Sequence, residues 1–312
     1  MLTFIIRQFL YSILIILGVM TVTFVVVRIL PGDPARLMAG QRADLQSIQS
    51  LRRQWKLDQP LPVQYIDFLS RAMTGDFGRS FAFNRPVVET IIDKVPATAI
   101  LALSALTLSS LLGIAIGVVS AWKPNRWFDD AAMLTALLGI SVPSFVLAIV
   151  LQMIFAYWLH LLPAVNYMIR GGRLDLSYLI LPMIGLAARP LSIIARITRS
   201  SMLDVLSQDY VRTARAKGLT ISATVLKHAL RNALNPVITT ISAWLAATLA
   251  GTLFIELVFN WPGLGSLALN AVQQLDFPII QGVVLFTAIT FVVINFLVDI
   301  LYSLLDPKVR LS

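Results

Sequence analysis

The sequence predicts an all-α protein that crosses a membrane about six times, and its composition and its uncharged runs lead to this fold class. Of its 312 residues, 57% are hydrophobic and only 13% are charged, whereas soluble domains carry roughly 25% charged residues. Six segments are long enough to cross a hydrocarbon core of roughly 30 Å as helices. Lipid is therefore the solvent that suits most of this chain.

Uncharged runs locate the predicted spans. The first covers residues 8–27, and its 20 uncharged residues favour a retained helix over a cleaved signal peptide. The other five are predicted at 95–122, from after Asp130 to about Trp158, from about Leu176 to Ala195, within 232–255, and within 277–298 with an extension to about Ser303. The predicted organisation is an N-terminal span (1–30), an extracytoplasmic segment with short helices (31–96), a five-helix core (97–303) and a cytoplasmic tail (304–312).

Basic residues predict which side each segment faces. With both termini in the cytoplasm, the inner segments hold twelve Lys and Arg, whereas the two short outer loops hold two, Arg170 and Arg173. Lys and Arg are retained on the cytoplasmic side of membrane proteins. The formal net charge of +9 is then explained by topology and lipid, and nucleic acid is not needed as a partner.

The predicted extracytoplasmic segment contains two short amphipathic helices. Apolar residues recur with helical spacing between 45 and 55 and again between 63 and 73, on either side of Pro60 and Pro62. Two placements are open: the helices pack over a channel mouth, or they lie on the lipid surface.

The most informative stretch is the predicted cytoplasmic loop 200–235, within SSMLDVLSQDYVRTARAKGLTISATVLKHALRNALNPV. Leu206, Tyr210 and Ala214 share one helical face, and Gly218 is predicted to end that helix in a left-handed conformation. A second helix follows, with one face formed by Ile221, Val225, Leu226, Ala229 and Ala233. The loop is either a rigid bend that a partner protein grips, or an interfacial helix whose basic residues contact phosphate headgroups.

This loop resembles the cytoplasmic signature loop of ABC importer permeases, in the family that transports dipeptides, oligopeptides and nickel. The similar stretches are YVRTARAKG and HALRNALNPV, and the resemblance extends over nearly the whole chain through LPGDP, KLDQPLPVQY, GDFGRS and ELVFNWPGLG. Arg212 and Thr213 stand where the general importer pattern has Glu-Ala, whereas Ala214 and Gly218 match it. The Arg-Thr-Ala form is typical of the peptide branch.

The resemblance implies a type I importer permease fold in a bacterial inner membrane and a set of partners. A second permease completes the channel, two ATP-binding subunits grip the loop, and an extracytoplasmic binding protein delivers the solute. ATP and Mg are then bound by the partner subunits, and no cofactor is expected in this chain, which has no G-x-x-x-x-G-K-[ST] phosphate loop. The residues implied to couple to the ATPase are Tyr210, Arg212, Thr213, Ala214, Arg215, Ala216, Lys217, Gly218 and His228.

Six further residues are candidates for the channel or its gate. Arg189 lies within a predicted span, so it either lines the channel or snorkels or pairs within the protein. Pro190 breaks the same helix, while Pro143 and Ser144 interrupt the third span. Glu256 and Trp261 frame a predicted re-entrant turn, although Trp261 is also typical of the aromatic belt at a membrane surface.

Other classes of protein are less well supported by the residues present. No cysteine occurs and there are only two histidines, so an enzyme with a thiol or histidine-based catalytic set is disfavoured. An ion-coupled secondary transporter remains the main alternative, although it usually needs carboxylates at mid-membrane. A scaffold without transport activity is a further alternative. Gly113 and Gly117 form a G-x-x-x-G step that predicts close helix packing, inside this chain or against the partner permease.

Overall fold

A computed structural model describes residues 2–29, 45–54, 57–164, 169–170, 173–250 and 252–305. The predicted motif at 30–34 and most of the predicted tail lie outside these residues. The chain forms two compact units. The first draws its described residues from Met1–Ala97 and Pro262–Phe296, and the second from Thr98–Trp261 and Leu297–Pro307.

The described chain is helical almost throughout, which confirms the predicted fold class. Up to the third predicted span the helices are α1 (Leu2–Ile29), α2 (Leu45–Gln54), α3 (Leu61–Met73), α4 (Val87–Ile92), α5 (Val95–Trp122), α6 (Trp127–Ser141) and α7 (Ser144–Leu151), which continues as π-helix Gln152–Trp158. A minimal antiparallel pair, β1 (Ile169–Arg170) and β2 (Arg173–Leu174), follows.

The remaining helices are α8 (Ser177–Leu206), α9 (Asp209–Ala216), α10 (Ile221–Ala223), α11 (Leu230–Ala250), α12 (Leu253–Val258), α13 (Leu264–Gln273) and α14 (Phe277–Leu305). A π-helical turn, Thr224–Ala229, joins α10 to α11 without a break. The fourth predicted span therefore continues to Leu206, well beyond its predicted end near Ala195.

The number six is approximate. Among the described residues, four helices are long and apolar enough to span a membrane, or five if the bent pair Trp127–Ser141 and Ser144–Trp158 is one span. The helix Leu230–Ala250, which covers most of the fifth predicted span, is not one of the four.

The third predicted span is not a kinked helix. Its two halves, α6 and α7, meet at an angle of 108°. Pro143 forces this break because a residue before proline is pushed out of the helical region: Val142 is extended, with φ −81° and ψ 127°. Just before the break, the Ser141 hydroxyl donates to the backbone carbonyl oxygen of Leu137 at 2.9 Å.

In the first unit, α4 packs against α13 and the first turns of α14. The buried side chains of this core are Val87, Ile91, Leu264, Leu267, Ala271, Ile279 and Val283. Asp276, also buried, fixes the preceding loop because its carboxylate accepts hydrogen bonds from Ser80 Oγ at 2.5 Å and from the backbone N–H of Ala82 at 3.0 Å. The loop before α4 is thereby held to the start of α14.

Helix α3 forms at the predicted position, and aromatic residues outside the predicted apolar face pack it on α1. Tyr65 and Phe68 contact Phe24 of α1, and the Tyr65 hydroxyl is 2.7 Å from Thr21 Oγ1. The apolar face proposed from the sequence is turned outward, with Ile66 and Met73 exposed. Aromatic side chains of α3 thus make the contact with α1, and both placements predicted for its apolar face, over a channel mouth or on lipid, stay open.

In the second unit, α8 is packed closely by glycines of two neighbouring helices. A Cβ on Gly117 of α5 would lie 2.5 Å from Thr198 Cβ and 2.6 Å from the Ala195 carbonyl oxygen. One on Gly113 would lie 2.8 Å from Ile194 Cγ2. The predicted G-x-x-x-G step therefore serves packing inside this chain.

Replacing Gly117 with alanine should destabilise the protein by about 1–3 kcal/mol, the usual cost of overpacking a filled site. Thermal unfolding of the purified protein in mild detergent measures this effect. The matched control is Gly18→Ala, because a Cβ on Gly18 would meet no atom within 4 Å. Equal thermal stability of both variants would contradict the close contact between α5 and α8.

Candidate functional site

The loop singled out by its sequence forms a compact element between α8 and α11. Helix α8 ends at Leu206, and α9 begins at Asp209 after a two-residue turn. Leu206 therefore belongs to α8, and the helical face predicted for Leu206, Tyr210 and Ala214 is divided between two helices. In α9, the Thr213 hydroxyl donates to the Asp209 carbonyl oxygen at 2.9 Å, and Arg212 lies 3.5 Å from the Asp209 carboxylate.

Gly218 ends this element in the left-handed conformation, as predicted. Its φ is +85°, a value that L-residues with a side chain rarely adopt. The turn is closed by hydrogen bonds from Lys217 N–H to the Thr213 carbonyl at 3.1 Å and from Leu219 N–H to the Ala214 carbonyl at 3.4 Å. A Cβ on Gly218 would meet nothing within 4 Å, so the backbone conformation, and not lack of space, requires glycine.

The predicted second helix forms, but it runs directly into α11. Its inner face, Val225, Ala229 and Ala233, is fully buried against Val118 and Ala121 of α5 and Met202 of α8. Leu226, predicted on the same face, is 58% exposed, because consecutive residues of a helix are about 100° apart. Pro236 lies inside α11 and does not separate it from the loop.

Most of the predicted coupling residues lie on one exposed surface. Val211 and Ala214 are buried, and around them Tyr210, Arg212, Thr213, Ala216, Lys217 and Gly218 are exposed, while His228 is half-buried. The side chain of Arg215 lies outside the described part of the chain. Asn232 Nδ2 donates to the Tyr210 hydroxyl at 2.8 Å, which ties α9 to α11.

An ion pair that the sequence did not indicate joins a buried carboxylate to a half-buried arginine. The Arg199 guanidinium of α8 donates to both carboxylate oxygens of Asp129, Nε to Oδ1 at 2.5 Å and Nη2 to Oδ2 at 2.6 Å. The backbone N–H of Asn125 adds a third bond to Asp129 at 2.9 Å. This bidentate pair joins the first turn of α6 to α8. The two residues are 70 positions apart, and no local pattern connects them.

The channel candidates are placed very differently by the structure. Arg189 and Pro143 are exposed, Ser144 is half-buried and Pro190 is buried in α8. Glu256 and Trp261 are both completely buried. Burial excludes the position of Trp261 in an aromatic belt and does not support the role of Glu256 in lining a channel.

The structure explains why Glu256 is buried. Its Oε1 accepts hydrogen bonds from Thr98 Oγ1 at 2.7 Å and Thr252 Oγ1 at 2.8 Å. Its backbone carbonyl accepts the N–H of Trp261 at 2.8 Å. Glu256 thus links the first turns of α5 and α12 and positions the turn that follows α12, which is a structural role.

Comparisons with known proteins identify the family of this chain. Residues 113–311 match the family model of the binding-protein-dependent transport system inner membrane component, and residues 1–102 match the N-terminal model of the same transport systems. The chain belongs to this family. The permease is also 43% identical over 310 residues to the glutathione transport system permease protein GsiC of Salmonella choleraesuis and 41% identical to that of Escherichia coli K12, with 99% of each chain covered.

A solved structure shows the same fold. An amino acid ABC transporter crystallised with histidines matches with a TM-score of 0.54 at 15% identity, over 71% of this chain and 95% of that one. The permease is accordingly a multi-pass inner membrane subunit of an ABC importer and not an enzyme. A permease of this class works with a partner permease, ATPase subunits and a substrate-binding protein.

The Asp129→Asn variant should destabilise the permease by about 1.5–3 kcal/mol, because it removes the charged acceptor of the half-buried Arg199 guanidinium. Thermal unfolding in detergent measures the loss. Asp130→Asn, a change of the exposed neighbouring carboxylate, serves as the matched control and should unfold close to the wild type. Identical behaviour of the two variants would show that the pair is not holding α6 to α8.

Proposed function

We propose that this permease forms half of the translocation channel of an ATP-driven importer for peptides or related small solutes such as glutathione. The observation that carries the proposal is the element formed by α9, Gly218 and the helix that starts at Ile221. It exposes small and basic residues on one side and packs on α5 and α8 on the other. Such an element has one surface for a partner and another for the spans.

In the proposed mechanism, two ATP-binding subunits close on ATP and push this element. Three contacts then transmit the displacement. Tyr210 passes it to α11 through Asn232, the buried face around Val225 passes it to α5 and α8, and the Asp129–Arg199 pair carries it on to α6. The channel turns from facing the cytoplasm to facing outward, accepts solute from the binding protein and releases it inward after hydrolysis.

The proposed orientation places both termini and the α9 element in the cytoplasm. It rests on the excess of twelve Lys and Arg on the inner segments over two on the short outer loops. ATP and Mg are assigned to the partner subunits. The second permease is proposed to be a similar, separate chain, and glutathione enters as a candidate solute because the relatives are named for its transport.

Uptake measurements test the energy source. Vesicles that contain the assembled complex should accumulate labelled glutathione or dipeptide with ATP and binding protein, and a proton gradient alone should give no accumulation. An uptake that follows the gradient and ignores ATP would favour an ion-coupled transporter and overturn the proposal.

Substitution of Gly218 tests the coupling element. Because the backbone there is left-handed, an L-side chain costs about 1–2 kcal/mol, and asparagine tolerates this conformation better than β-branched valine. We expect ATP-driven uptake to fall in the order Gly218, Gly218→Asn, Gly218→Ala, Gly218→Val, while ATP hydrolysis by the complex falls less. Full coupling of uptake to hydrolysis in Gly218→Val would show that this turn is not the coupling element.

A further inference from the structure

The most exposed residues of α8 after Gly185 are polar. Between Gly185 and Asp204, the exposed residues are Arg189, Arg196, Ser200 and Asp204, and all of them are polar. Other spans expose the opposite kind of surface, such as Leu103 and Leu111 on α5 and Leu134 on α6. Apolar faces of that kind suit lipid, whereas the α8 face does not.

Arg189, Arg196 and Ser200, which we name the α8 stripe, lie on one side of the helix. Seven residues make two turns less about 20°, so Arg189 and Arg196 point almost the same way, about 10 Å apart along the axis. Arg189 is about 18 Å along α8 from Ser177. A charge at the centre of a span costs about 2.5–3.5 kcal/mol on insertion scales, so a cation here needs water or an anion.

Neither arginine of the α8 stripe obtains its anion from the described part of this chain. The structure gives no hydrogen bond or ion pair between either guanidinium and a described residue, whereas Arg199 on the same helix is held by Asp129 at 2.5 Å. Three arginines within eleven residues of one helix are thus treated differently. Arg199 is half-buried and paired, whereas the two on the stripe are exposed and have no ion-pair partner among the described residues.

We infer that the α8 stripe lines the water-filled translocation pathway, and that Arg189 and Arg196 bind a carboxylate of the solute as it passes. This inference rests on the proposed function and gives it a substrate class: solutes with a free carboxylate, such as a peptide C-terminus. A guanidinium donates two parallel hydrogen bonds to a carboxylate. Asp204 lies beyond the stripe, toward the end of α8. Its negative charge repels an anion, so the stripe attracts anions only as far as Ser200.

The absence of cysteine from the sequence makes this inference directly testable. Single variants Arg189→Cys and Leu111→Cys are assembled with the partner subunits in vesicles and treated with charged, water-soluble methanethiosulfonates. A thiol in a water-filled pathway reacts with such reagents, and one in lipid does not. Arg189→Cys should be labelled and Leu111→Cys, an exposed apolar position of α5, should stay unlabelled.

The charge of the reagent tests for an anion site. In Arg189→Cys, the remaining Arg196 lies about 10 Å away, and a unit charge at that distance in water favours the anionic over the cationic reagent about fourfold. The preference should vanish when Arg196→Gln is added. The labelling is carried out with and without ATP. Absence of labelling under both conditions, or labelling without preference for the anionic reagent, overturns the inference. Should the Arg189→Cys complex not assemble, Arg196→Cys with Arg189 intact gives the same test.

Two further experiments distinguish binding of a solute from binding of lipid phosphates, and distinguish failure of this inference from failure of the proposed function. If lipid phosphates held these arginines, anionic lipid would slow the anionic reagent strongly, whereas a pathway facing water leaves its rate nearly unchanged between anionic and zwitterionic vesicles. With saturating binding protein, Arg189→Gln should lower uptake of glutathione about tenfold, and Arg189→Lys should lower it less. Wild-type vesicles that take up neither glutathione nor dipeptide with ATP would contradict the proposed function, while the labelling result still decides whether the stripe lines water.

Discussion

Close approach of backbones around α8 is the constraint on which the rest of the second unit depends. In lipid, helices gain nothing from hiding apolar surface, so association relies on van der Waals contact between surfaces that fit. Gly113 and Gly117 let α5 reach the backbone of α8, and Gly139 of α6 faces Ser192 of the same helix. With two neighbours held at this distance, α8 has little freedom to tilt alone.

The arginines of α8 show how one helix serves both structure and transport. Arg199 is satisfied by a bidentate carboxylate and joins α8 to α6. Arg189 has no such partner among the described residues and lies exposed inside the predicted span, where a bilayer would penalise its charge. The inferred pathway explains the second arrangement, because water or solute would then reach that face. Thus the difference between a structural and a functional arginine lies in the partner, which the sequence does not display.

Features set by local chemistry could be predicted, and features set by distant contacts could not. Gly218 was predictable because a left-handed turn after a helix strongly favours glycine, and the apolar runs predicted the long helices because hydropathy is local. The Asp129–Arg199 pair, the burial of Glu256 beneath Thr98 and Thr252, and the outward face of α3 all depend on which elements meet. The break at Pro143 is only partly predictable. Proline predicts that the helix ends there, but the packing of neighbouring helices determines the angle of 108°.

These contacts also determine how the channel moves in the proposed mechanism. Helix α5 is held near its start by the bond of Thr98 to Glu256 and further along by the contact of Gly117 with Thr198. The same α5 carries Val118 and Ala121, against which Val225 and Ala229 pack. A push on α9 therefore meets α5 and α8 as one packed body, which yields by rotating whole and not by bending. Alternating access then requires few flexible segments. The left-handed turn at Gly218 belongs to the element that the ATP-binding subunits displace. The rigidity of this turn therefore determines how much of the displacement reaches the α8 stripe.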